Sequence, residues 1–376
     1  MCNLTIHNIE NYENDPQLRL IPWILWENLF QHFISANELS LMTLSYKEAI
    51  HIFLPGTKNM EQVRQLLCLY YAHYNRNAKQ LWSDAHKKGI KSEVICFVAA
   101  ITGCSSALDT LCLLLTSDEI VKVIQAENYQ AFRLAAENGH LHVLNRLCEL
   151  APTEIMAMIQ AENYHAFRLA AENGHLHVLN RLCELAPTEA TAMIQAENYY
   201  AFRWAAVGRG HHNVINFLLD CPVMLAYAEI HEFEYGEKYV NPFIARHVNR
   251  LKEMHDAFKL SNPDGVFDLV TKSECLQGFY MLRNLIRRND EVLLDDIRFL
   301  LSIPGIKALA PTATIPGDAN ELLRLALRLG NQGACALLLS IPSVLALTKA
   351  NNYYINETGG RLDLRAVALE HHHHHH

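Results

Sequence analysis

Three histidines recur at one place in this chain. His140, His175 and His211 each follow a glycine, at intervals of 35 and 36 residues. Such a row could be a ladder of metal ligands. A metal site, however, needs three or four His, Cys, Asp or Glu donors around one ion, and no carboxylate or cysteine recurs beside these histidines. The pattern predicts instead a histidine that hydrogen-bonds across the turn between two helices. His231 stands among four carboxylates, Glu229, Glu232, Glu234 and Glu237, but the spacing fits no ligand pattern and a solvated loop is expected there. No metal and no cofactor is expected.

Nucleophilic chemistry has little more to work with. The 10 cysteines are scattered singly, without a CxxC pair, and read as reduced core residues. GxSxG, HExxH, GxGxxG and GxxxxGK followed by Ser or Thr are all missing. The chain therefore reads as non-enzymatic. One alternative stays open, a site hidden in residues 227–275, which a deep pocket holding a histidine or cysteine of perturbed pKa would reveal.

Composition narrows the partners. The formal charge is −8, and −7 without the expression tag of Leu369, Glu370 and six histidines, because only Glu370 carries charge. An acidic chain with no lysine or arginine block is a poor fit to nucleic acid or to an anionic membrane surface, which leaves another protein as the expected partner. The most apolar stretch, 94–115, is broken by Thr102, Ser105, Ser106 and Asp109. A bilayer span needs roughly 20 apolar residues, so two buried helices are expected and no membrane span. The start, MCNLTIHNIENYENDPQ, lacks the basic patch and apolar run of a Sec signal. A cytoplasmic monomer is the expectation.

The elements that must position any binding residues are repeats. Residues 125–159 and 160–194 differ at three positions only, Gln130 against His165, Ile155 against Ala190 and Met156 against Thr191. A drifting third copy starts at Gln195, and a fourth lies upstream, where Ala99, Ala100 and Gly103 match Ala135, Ala136 and Gly139. Periods of this size mark solenoids, whose units bury their apolar faces by stacking. In each unit AFRLAAEN forms a short helix ended by the glycine, and Leu141, Val143, Leu144, Leu147 and Cys148 give the spacing of a second, amphipathic helix. Gln130, His165 and Tyr200 vary at the start of the first helix and should be exposed on one edge. Arg133, Arg168 and Arg203 recur one turn on, with Glu137 and Glu172 placed for i to i+4 pairing. These six edge residues are the candidate partner-binding set.

The stretch AAENGHLHVLNRLCEL resembles the AAxxGHxxVVxxLL core of ankyrin repeats, over about 130 residues. The resemblance implies an all-α, elongated α-solenoid of helical hairpins that binds proteins. Two departures are visible. Gln130-Ala131-Phe132-Arg133 stands where the family has Thr-Pro-Leu-His, and the β-hairpin finger gives way to APTEIMAMIQAENY, which predicts a third helix or helical loop. The expected organisation is an N-terminal helical segment (1–55), connecting helices (56–92), repeats (93–226), an insertion with a long helix over 242–260 (227–274), further degenerate repeats (275–350) and a tail.

Residues 20–49 resemble an F-box. Ile21-Pro22 stands for Leu-Pro, Leu25, Leu29 and Phe33 line a first helix, and Glu38-Leu39 stands for Asp-Leu. Trp23 and Ile24 replace the usual acidic pair, and no clear aromatic ends the second helix. The alternative is a cap that seals the repeat stack. The F-box resemblance implies docking on a Skp-type adaptor of a cullin ubiquitin ligase. An F-box joined to ankyrin repeats is similar to effectors that intracellular bacteria deliver into host cells by type IV secretion.

Overall fold

The structure is a computed structural model that describes residues 62, 63, 66, 67, 70, 78–207, 210–312, 319–357 and 362–374. Among them every regular element is helical, as an all-α fold requires. The chain divides into two compact units, Met1–Val214 and Ile215–His376.

Unit 1 contains α1 (Ala78–Lys87), α2 (Ser92–Thr102), α3 (Ser105–Leu114), α4 (Ser117–Glu137), α5 (Leu141–Leu150), α6 (Ile155–Glu172), α7 (Leu176–Leu185) and α8 (Ala190–Ala206). Their limits follow from local chemistry. Thr116 opens α4 with a capping box, its hydroxyl accepting from the Glu119 N–H at 3.2 Å while the Glu119 carboxylate accepts from the Thr116 N–H at 3.0 Å. Pro152 and Pro187 start single 3-10 turns that run directly into α6 and α8, so the segment replacing the finger is helical. Gly139, at φ 73°, ends α4. Behind it the His140 N–H reaches Ala135 O at 2.9 Å and the Gly139 N–H reaches Ala136 O at 3.1 Å, a Schellman closure that His175 and Gly174 repeat.

One feature of α4, α6 and α8 goes beyond what the sequence predicts. Each is two helical runs joined by a corner. Ala126 is extended, with ψ 137°, and Glu127, Asn128 and Tyr129 are left-handed at φ 53°, 54° and 59°. Residues 161–164 and 196–199 repeat this geometry. Left-handed backbone costs L-residues roughly 1–2 kcal/mol each, less for asparagine, so contacts elsewhere must hold the corner.

Stacking supplies the core. Phe132, Ala135 and Ala136, with Phe167, Ala170 and Ala171, retain no exposed surface, and α6 packs between α4 and α8. The alanines let these helices approach closely, and Val143, Leu144 and Leu147 of α5 are equally buried. Each large side chain so removed from water is worth about 1.5–3 kcal/mol.

The glycines carry a second constraint. A β-carbon on Gly103, Gly139 or Gly174 would fall 2.6, 2.5 and 2.5 Å from Nδ1 of His140, His175 and His211. Each imidazole sits on the glycine of the unit before it. Nε2–H of His140 donates to Ile101 O at 3.0 Å, and His175 bonds the Glu137 carbonyl in the same way. His142 and His177 bond the carbonyls of Gly103 and Gly139 at 2.6 and 2.8 Å. The bond expected across the histidine's own turn is thus made to the preceding unit. The reason is that backbone already closes the histidine's own turn, while the helix end before it has spare carbonyls.

Helix α9 (His212–Leu219) spans the division between units. Unit 2 continues with α10 (Pro222–Ile230), α11 (Asn241–Ser261), α12 (Lys272–Arg288), α13 (Leu294–Leu301), α14 (Glu321–Leu329), α15 (Gln332–Leu339), α16 (Pro342–Ala350) and α17 (Leu364–His374). Helix α11 is the expected long helix. Pro222 and Pro342 occupy the first turn of α10 and α16, and Pro304 opens the short helix Pro304–Lys307. The repeat grammar returns at α14. Asn320 before it has φ 59° and ψ 37°, the conformation of Tyr129, and Gly330 closes it with a Schellman pair to Ala326 and Leu327.

The acidic stretch from Glu229 is not a solvated loop. Residues Glu232–Tyr235 are helical, Gly236–Val240 form a π turn, and Glu229 is fully buried. Its carboxylate accepts from Arg283 and, at 3.0 Å, from Nε of Arg287, while Arg283 also pairs with Glu321 at 2.7 Å. A carboxylate enters a core only when charge and hydrogen bonds compensate it, and guanidiniums 54 and 58 residues away do so here. Among the described residues no single helix is long and apolar enough to cross a membrane.

Candidate functional site on the repeat face of unit 1

The six edge residues stand on the second runs of α4, α6 and α8. Gln130, His165 and Tyr200 begin these runs, Arg133, Arg168 and Arg203 follow, then Leu134, Leu169 and Trp204, with Glu137 and Glu172 at the ends of α4 and α6.

The first column is half-buried, not exposed as expected. Tyr200 shows why. Its ring lies over the Arg168 guanidinium of the preceding unit, 4.9 Å to the centroid, and its hydroxyl donates to Glu172 at 2.9 Å. A side chain here rests on its upstream neighbour. Burial, with the guanidiniums of Arg133 and Arg168, pushes the His165 pKa down to about 4. Its Nδ1 is buried without a hydrogen-bond partner among the described residues.

The arginines do not pair along the helix. Arg133 donates from Nε to Asn128 O at 3.0 Å and from Nη2 to Glu127 O at 2.9 Å. Arg168 and Arg203 make the same pairs of bonds to the carbonyls of 163 and 162, and of 198 and 197. The i to i+4 ion pair gives way because the left-handed corner leaves two adjacent carbonyls outside the helical ladder, and a planar guanidinium fork matches them. Side chains clamp the corner as well, from the next copy through Glu162 and Glu197 and from the same copy through Glu154 and Glu189. Asn128 donates to Glu162 at 2.8 Å, Asn163 donates to Glu197 at 2.7 Å, and the hydroxyls of Tyr129 and Tyr164 bond the carboxylates of Glu154 and Glu189. In the first two copies the asparagine and tyrosine side chains of the Glu-Asn-Tyr triplet are thereby bonded.

Without arginine partners, Glu137 and Glu172 face one another. Burial, reinforced by the Glu172 charge and opposed by Arg133, holds the Glu137 carboxyl above its usual range. Beside them runs the row Leu134, Leu169 and Trp204, which ends in a tryptophan 40% exposed and 5.6 Å from the Tyr200 ring. In the first unit the matching positions, Val94, Phe97, Val98 and Ile101, are apolar and buried. The accessible face therefore begins at α4. Sequence reasoning singled out the edge and the arginines but missed this row, although the change from leucine to tryptophan at 204 marked it.

Two other readings meet the structure differently. The F-box-like residues Ile21, Pro22, Leu25, Leu29, Phe33 and Leu39 lie outside the described residues. In unit 2 a pocket of about 510 Å³ lies between α11 and α12, and burial and Arg250 push the pKa of His247 on its wall down to about 4. This matches the pocket named above as the mark of a hidden activity. Arg250, however, donates to Nε2 of His247 at 3.0 Å, which occupies the lone pair that a general base would use. Elsewhere burial raises the thiols of Cys96 and Cys335 to about 12 and that of Cys148 to about 11, far from the thiolate form.

No family model and no curated protein matches the chain. A solved X-ray structure described as an ankyrin repeat family protein from Legionella pneumophila is 99% identical to it, covering 92% of this chain and 100% of its own, with a TM-score of 0.84. That likeness agrees with the paired alanines, the glycine turn and the histidine seated on it, and the chain belongs to the ankyrin repeat family.

Proposed function

We propose that this protein is a non-enzymatic interaction scaffold, and that a protein partner docks on the row formed by Leu134, Leu169 and Trp204 with Tyr200 at its side. The observation that carries the reading is the exposure of Trp204 on a face whose other positions are half-buried. An accessible tryptophan beside a tyrosine is the composition of a binding hot spot. Replacing Trp204 by Asp should abolish co-precipitation of the partner, while Leu113→Asp, at an 83% exposed leucine of α3, should leave it intact. Equal loss in both variants, or in neither, would overturn the reading.

Narrower forms of this proposal rest on the sequence resemblance, namely delivery into a host cell by type IV secretion and docking of residues 20–49 on a Skp-type adaptor. Calorimetry against such an adaptor, with Leu29→Asp and Leu39→Asp as controls, tests the second.

A further inference from the structure

We draw no further inference here: the strongest candidate, the surface patch of exposed apolar side chains Met254, Leu260, Val266 and Val270 on the last turns of α11 and the loop that follows it, carries nothing because nothing in the structure shows what covers it.

Discussion

His175 sits on Gly139, with its Nδ1 only 2.5 Å from where a β-carbon on that glycine would stand. The Gly-His pair of this repeat is therefore a contact between units, the glycine of one and the histidine of the next. Gly89 offers a control in the same unit, because it closes α1 at φ 88° with nothing within 4 Å of its missing β-carbon. Gly89→Ala should cost only the left-handed backbone, about 1 kcal/mol, and Gly139→Ala a further 1–3 kcal/mol for the clash. Denaturant unfolding would show it. Adding His175→Ala to Gly139→Ala should cost less than the sum of the two.

The same imidazoles set a dependence on pH. Burial pushes the pKa values of His140 and His175 from 6.5 down to about 4. Between those values the unfolded chain binds more protons than the folded one. Stability is thus complete above pH 6.5 and declines as pH falls toward 4, by at most about 1.4 kcal/mol per pH unit for each histidine. His175→Gln keeps an N–H for the Glu137 carbonyl and should flatten the slope between pH 6.5 and 5. An unchanged slope would contradict this assignment.

Arg133 and Glu137 are separable by substitution. Arg133→Met removes two charge-assisted bonds to the corner carbonyls and should cost about 1.5–3 kcal/mol. Glu137→Gln should cost nothing at neutral pH, because it relieves the repulsion from Glu172. Equal losses in urea unfolding would restore the intrahelical ion pair.

The corner ladder has an end. Asn163 donates to Glu197 at 2.7 Å, whereas Asn198 has no such bond among the described residues. Aspartate tolerates the left-handed region as asparagine does. Asn163→Asp should therefore destabilise by roughly 1 kcal/mol through loss of the hydrogen bond to Glu197 together with repulsion of like charges, and Asn198→Asp by much less, as thermal melts of the two variants would show.

Much of this fold was legible in the sequence because its signals are local. The 35-residue period, the alanine pair, the turn glycine and Pro152 at its helix start each act within a few residues. The left-handed corner was not legible. Glu-Asn-Tyr carries no glycine, and its geometry depends on Arg133 and Glu154, further along the same copy, and on Glu162 of the following one. Glu229 misled for the same reason, since its charge is neutralised by arginines 54 and 58 residues downstream. Of the proposed binding face, the positions that vary between copies were visible, but their burial was not, because Tyr200 is covered by contacts to the unit before it.

The proposed docking of a protein on the row ending in Trp204 is open to direct trapping. A photo-crosslinking amino acid placed at 169 or 204, and at 113 as the control, tests it most directly in cells that contain the partner. Docking on this row should give one discrete protein adduct from 169 and 204 and none from 113. Adducts from 113 alone, or the same adducts from all three positions, would contradict it.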